Sequence, residues 1–114
     1  LERNRATREG GVRAALRVDN GRIAVTVEGP EAAQPCRVVL IGVWRERTVP
    51  IARGENRGLK AAYSNVVRSF VDLGGWSGGA RSYEAARGDA DFYVVLVQQG
   101  ESARPGPIVA AARR

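Results

Sequence analysis

The sequence of 114 residues has no histidine, no methionine and a single cysteine, Cys36. Without histidine there is no Ser-His-Asp triad, no Cys-His pair, no imidazole acid or base and no HExxH zinc site. One cysteine makes neither an intrachain disulfide nor a CxxC redox pair, and it builds no Cys/His zinc cluster. Aromatic residues are only 6% of the chain, and none sits in a run of the kind that stacks RNA bases. Long apolar runs are missing as well. The longest, Val38 to Trp44 and Phe92 to Val97, fall far short of the roughly 20 residues of a membrane-spanning helix. The chain opens Leu1-Glu2-Arg3, with no initiator and no charged-then-apolar signal peptide, and is expected to be a processed or truncated piece of something longer. The expectation is a non-enzyme with no catalytic residue, no metal, no cofactor and no membrane span.

What is present belongs to one globular domain, since 44% of the residues are hydrophobic and 26% charged. The formal charge is +6, from 18 basic and 12 acidic residues, and every basic residue except Lys60 is arginine. Such a balance raises nucleic acid as a partner. The arginines gather at the two ends, however, and are otherwise scattered among Glu and Asp with no internal stripe. A basic nucleic-acid-binding domain is therefore the least favoured reading, and no specific nucleic acid is expected.

Residues 1–11 are charged and end in Gly10-Gly11, which suits a linker or the end of a preceding helix. Val12 to Val18 and Arg22 to Glu28 each alternate apolar and polar residues around Asp19-Asn20-Gly21, a β-hairpin signature. Cys36 to Arg45 is β-branched and nearly continuous, as a central strand buried on both faces would be. Thr48 to Ala52 reads as a short separate strand that Pro50 confines to an edge or bulge. Residues 59–72 fit a helix through Tyr63, Val66, Val67 and Phe70, or a strand through alternate positions. The glycine pairs that follow, and the lack of a cap near Gly58, favour a strand entering a turn. Arg81 to Ala86, Asp91 to Gln99 and Pro107 to Ala112 complete the set. The fold expected over residues 12–114 is all-β, a β-sandwich of about seven to eight short antiparallel strands.

Three ordered motifs then stand out: Arg53-Gly54-Glu55-Asn56-Arg57-Gly58, Tyr63-Ser64-Asn65-Val66-Val67-Arg68 and Leu73-Gly74-Gly75-Trp76-Ser77-Gly78, with a closing Pro105-Gly106-Pro107-Ile108. In these the chain resembles the carboxy-terminal β-rich half of the secreted thioredoxin-like proteins catalogued as domain of unknown function 1223, roughly from Val12 onward. The resemblance implies a bacterial secreted or periplasmic protein with a thioredoxin-like domain ahead of this one. A thioredoxin-like domain or another envelope protein is the partner so implied. Cys36 matches no redox motif of the family, and no oxidoreductase residue carries over.

Arg53, Glu55, Asn56, Asn65 and Arg68 are the candidate binding or structural residues. Glycines and arginines in the 53–58 turn suit a small-ligand or anion site, whereas the plainer alternative is a tight polar turn. Glu55 is the only acid between Glu46 and Asp72, so a clasp holding it to Arg68 would satisfy both; Asp72 is the other natural partner for Arg68. Trp44 and Trp76 are expected in packing rather than as a ligand platform, and Cys36 as an inert, half-buried thiol. A non-catalytic accessory or interaction domain is the favoured function. The alternative is a small-ligand-binding, anion-binding or enzymatic module around the 53–58 turn.

Overall fold

The computed structural model describes residues 5–8, 11–32, 34–50, 60–101 and 104–114. These form eight strands: β1 (Arg5–Arg8), β2 (Arg13–Val18), β3 (Arg22–Glu28), β4 (Cys36–Pro50), β5 (Lys60–Trp76), β6 (Arg81–Ala86), β7 (Phe92–Glu101) and β8 (Arg104–Arg113). One sheet runs β1-β8-β7-β4-β5 and the other β2-β3-β6, every pairing being antiparallel. The fold is an all-β sandwich. Among the described residues no helix is long and apolar enough to cross a membrane.

The core follows from period-2 patterning. Leu16, Val25 and Tyr83 stand abreast on the inner face of the three-stranded sheet, and Val38 and Val97 face them from the other, all buried. Trp76 closes this core at the end of β5, with 2% of its surface exposed. The alternate residues of β4 and β7 point to the opposite, outer face of the five-stranded sheet. There Val39 lies beside Leu96, Ile41 beside Val94 and Val43 beside Phe92. This explains the unbroken apolar runs of both strands, because each feeds two faces.

Several expected boundaries shift. Thr48 to Pro50 is no separate strand but the end of β4, where Pro50 pairs with Lys60. The β4–β7 ladder stops at Val43, so Pro50 stands where one flank of β4 has no β7 neighbour to receive an N–H, which is where proline is tolerated. Residues 60–72 are strand, as favoured, yet Gly74-Gly75 lies inside β5 rather than in the turn after it. The turn sits at residues 77–80, where Gly78 and Gly79 take φ of 137° and 78°. At 15 and 17 residues, β4 and β5 are long rather than short. The opening segment, expected as linker or helix end, contributes β1, which pairs with β8 from Arg5↔Arg113 to Arg8↔Ala110.

Two register shifts mark the β4–β5 ladder. Arg68 is the extra residue between the pairs Gly42↔Ser69 and Val43↔Val67, and Leu73 the extra one between Val38↔Gly74 and Val39↔Asp72. Such bulges re-aim side chains that would otherwise alternate.

Candidate functional site

At one end of the outer face a cleft of about 280 Å³ is lined by Arg37, Val39, Phe70, Asp72, Gln98, Gln99, Gly100 and Pro105. The Leu73 bulge brings Asp72 beside Arg37. The guanidinium donates from Nη2 to Asp72 Oδ1 at 2.7 Å and from Nε to Oδ2 at 3.2 Å. The Gly74 N–H adds a third donor to Oδ1 at 3.0 Å. Gln98 Nε2 donates to the Gly106 carbonyl at 2.7 Å, and the Gly100 N–H to the Pro35 carbonyl at 3.0 Å. The ion pair and these bonds engage much of the cleft's polar lining within the protein, while Val39, Phe70 and Pro105 offer apolar wall. Among the described residues that line the cleft none carries a hydroxyl, thiol or imidazole.

Hydrogen bonds from Arg37 hold the Asp72 carboxyl below its usual range, helped by the Gly74 N–H and opposed by partial burial. A depressed carboxyl binds its proton less readily folded than unfolded, so its stabilisation is complete above the unfolded value near ~3.9. It is lost as pH falls through the lower folded value. Asp72→Asn is accordingly expected to be slightly less stable than the parent at pH 7, with the gap closing below about pH 4. Urea midpoints collected from pH 2 to 7 check this, and a gap that stays constant with pH contradicts it. The effect is small because both side chains remain more than a third exposed.

Of the sequence candidates, Arg53, Glu55 and Asn56 lie outside the described residues, and so does the proposed clasp from Glu55. Asn65 is exposed on β5 with φ 54°, a left-handed conformation that asparagine adopts more readily than most residues. Arg68, turned by its bulge, places Nε 3.3 Å from Asp89 Oδ1 and its guanidinium carbon 5.0 Å from the Trp44 ring centroid. Asp72 is thus not the partner of Arg68. Four residues along an extended strand span about 13 Å, and Arg37 on the neighbouring strand is nearer. Asp89 also accepts the Trp44 indole N–H through its carbonyl at 3.2 Å. Trp44 is half-buried beneath an arginine, whereas Trp76 is core, its indole donating to the Gly79 carbonyl at 3.0 Å.

Cys36 is fully buried rather than half-buried. Its thiol lies 3.6 Å from the Gln34 carbonyl, and burial pushes its pKa up. Among the described residues no group of three His, Cys, Asp or Glu is placed to hold a metal ion. Sequence reading missed Arg37, Asp72 and Phe70 as a group, because they come together only through cross-strand register and a bulge.

No curated protein matches the chain. Among solved structures, the X-ray crystal structure of protein AGR_C_4864 from Agrobacterium tumefaciens is similar, with a TM-score of 0.67 and 18% identity over 91% of this chain and 46% of that one. At that identity the likeness shows the fold alone, and the chain spans about half the length of the structure it matches. The model of the family described as "Protein of unknown function (DUF1223)" matches residues 1–98. The match takes in the opening segment and the three motifs between Arg53 and Gly78, and ends before Pro105–Ile108. The chain belongs to the DUF1223 family.

Proposed function

We propose that this chain is a non-catalytic accessory domain that binds another protein module in the bacterial envelope, as the carboxy-terminal half of a secreted thioredoxin-like protein. One observation carries the reading. The ionisable pair of the cleft, Arg37 and Asp72, is closed on itself, while Val67, Phe70 and Ile108 keep 61%, 66% and 43% of their surface exposed. Large apolar groups left open beside a neutralised ion pair suit association better than catalysis. The length of the Agrobacterium protein, more than half of which lies outside the match, agrees with a fold that occurs beside further polypeptide.

The test is turnover. Insulin reduction should not exceed a thiol blank, because Cys36 has no second cysteine and a raised pKa. Chromogenic ester, phosphate and glycoside substrates should also give blank rates. Turnover that disappears in Arg37→Ala or Asp72→Asn would overturn the accessory reading and make the cleft a catalytic site.

A further inference from the structure

The cleft at the Arg37 end of the outer face is built by four neighbouring strands. In the order β8-β7-β4-β5, Arg37 and Val39 of β4 and Gln98 of β7 make its floor, with Phe70 of β5 as one wall and Pro105 of β8 as the other. The walls stand three strand spacings apart, about 14 Å between backbones. A volume of about 280 Å³ lies just under the ~300–1,000 Å³ of pockets that hold drug-sized ligands, so the space suits a smaller molecule. Phe70, left 66% exposed, supplies a flat apolar surface on which such a molecule can lie.

The polar groups of the floor are only partly engaged. Arg37 gives Nε and one Nη2 hydrogen to Asp72. The other edge of the guanidinium, Nη1 with the second Nη2 hydrogen, has no protein acceptor among the described residues. Gln98 donates through Nε2 to the Gly106 carbonyl, and its Oε1 has no protein donor among the described residues. Arg37 and Gln98 are directly opposite in the β4–β7 ladder, a placement that sets Cβ atoms about 4.5–5.5 Å apart. A spare donor and a spare acceptor side by side match a carboxamide, whose carbonyl accepts from Arg37 while its N–H donates to Gln98. Charge narrows the choice further. The Arg37–Asp72 pair is neutral as a unit, so a carboxylate on the open guanidinium edge would stand near Asp72 and a cation near Arg37. Each meets a like charge that a neutral amide does not.

We propose that the cleft is a binding site for a small neutral molecule carrying a carboxamide on a planar apolar body. The amide lies across Arg37 and Gln98, and the apolar body lies on Val39 and against Phe70. Asp72 is the selectivity residue, because its carboxylate compensates Arg37 and turns away anions. The site goes beyond the accessory reading and does not rest on it.

The probe is benzamide, titrated into the isotope-labelled intact chain and followed through backbone amide chemical shifts. Saturable shifts are expected at Arg37, Gln98 and Gly100. Affinity should exceed by about fivefold or more that for methyl benzoate, which lacks the N–H, and that for benzoate and benzylamine, which carry charge. Phe70→Ala, at a largely exposed position, should weaken benzamide by about fivefold or more. In Asp72→Asn the excluded anion becomes the complement of Arg37, so the preference for benzamide over benzoate should reverse. A merely structural role for Asp72 would lower both affinities together. Spectral dispersion confirms that each variant is folded. Shifts that do not saturate or that lie elsewhere, equal affinity for the four compounds, or binding indifferent to Phe70→Ala overturn the proposal. An unchanged benzamide-to-benzoate ratio in Asp72→Asn overturns it too. None of these measurements reads turnover, so failure of the site leaves the accessory reading standing.

Discussion

Replacing Trp76 with alanine is expected to destabilise the domain by about 3–5 kcal/mol, the range for truncating a buried large aromatic. Its ring is 2% exposed within the sandwich core, at the β5 end that pairs with Cys36. Its indole N–H holds the Gly79 carbonyl across the turn into β6. Alanine therefore opens a cavity between the sheets and frees a turn carbonyl at once. A domain of this size is stable by roughly 5–15 kcal/mol, so about a fifth or more of that margin should go. Trp76→Phe keeps most of the volume and loses the hydrogen bond, and should cost about 1–2 kcal/mol. Trp44→Ala should cost less than Trp76→Ala, since Trp44 is half-buried at the surface. Urea unfolding followed by circular dichroism separates these, and Trp44 remains as a fluorescent reporter in Trp76→Ala. A midpoint for Trp76→Ala equal to that of the parent would contradict the core placement.

Gly100→Ala is expected to cost about 3 kcal/mol, combining backbone strain of ~1–3 with a steric displacement of similar size. Gly100 sits at φ 91° in the β7–β8 hairpin, where a Cβ would strike the Arg104 carbonyl and stand 3.0 Å from the Gly106 nitrogen. Those neighbours are backbone, so no side-chain rotation relieves the contact. The Gly100 N–H also ties the hairpin to the Pro35 carbonyl at the entry to β4. Gly21→Ala is the control. A Cβ there meets nothing within 4 Å, and stability should hold or rise by about 0.4–1 kcal/mol through the unfolded state. Equal midpoints for the two variants would show that the hairpin yields without penalty.

The sandwich was legible wherever side-chain alternation and turn chemistry agree. Arg22 to Glu28 and Arg81 to Ala86 are strands with the expected bounds, because one face of each is buried and the period of two is clean. Legibility ended where pairing, not composition, decides. Nothing local says that β4 continues to Pro50; its partner Lys60 does. Nor does the sequence say that Gly74 is an in-strand residue with φ 128°, since a glycine pair signals a turn equally well. The site was less legible for the same reason. Arg37 and Asp72 are far apart in sequence and meet only across the ladder, and Arg68 takes Asp89 rather than Asp72 because a single inserted residue turns its side chain. By sequence Phe70 belongs to the helical stripe with Tyr63, Val66 and Val67, and only its place on the edge strand β5 makes it exposed.

The β1–β8 ladder has a kinetic consequence. It joins the first described strand to the last, and β4 must find β7 only after the long β5 and β6 have been passed over. Chain entropy must be lost before such distant pairs return any contact energy. The local β2–β3 hairpin can close within about 1–10 μs, whereas the complete sandwich belongs with non-local β folds that need milliseconds to seconds. During that interval the apolar runs of β4 and β7 are unsheltered, and β8 has yet to receive β1 along its free side. The slowest ladder thus sets how long a newly made chain stays open to wrong neighbours.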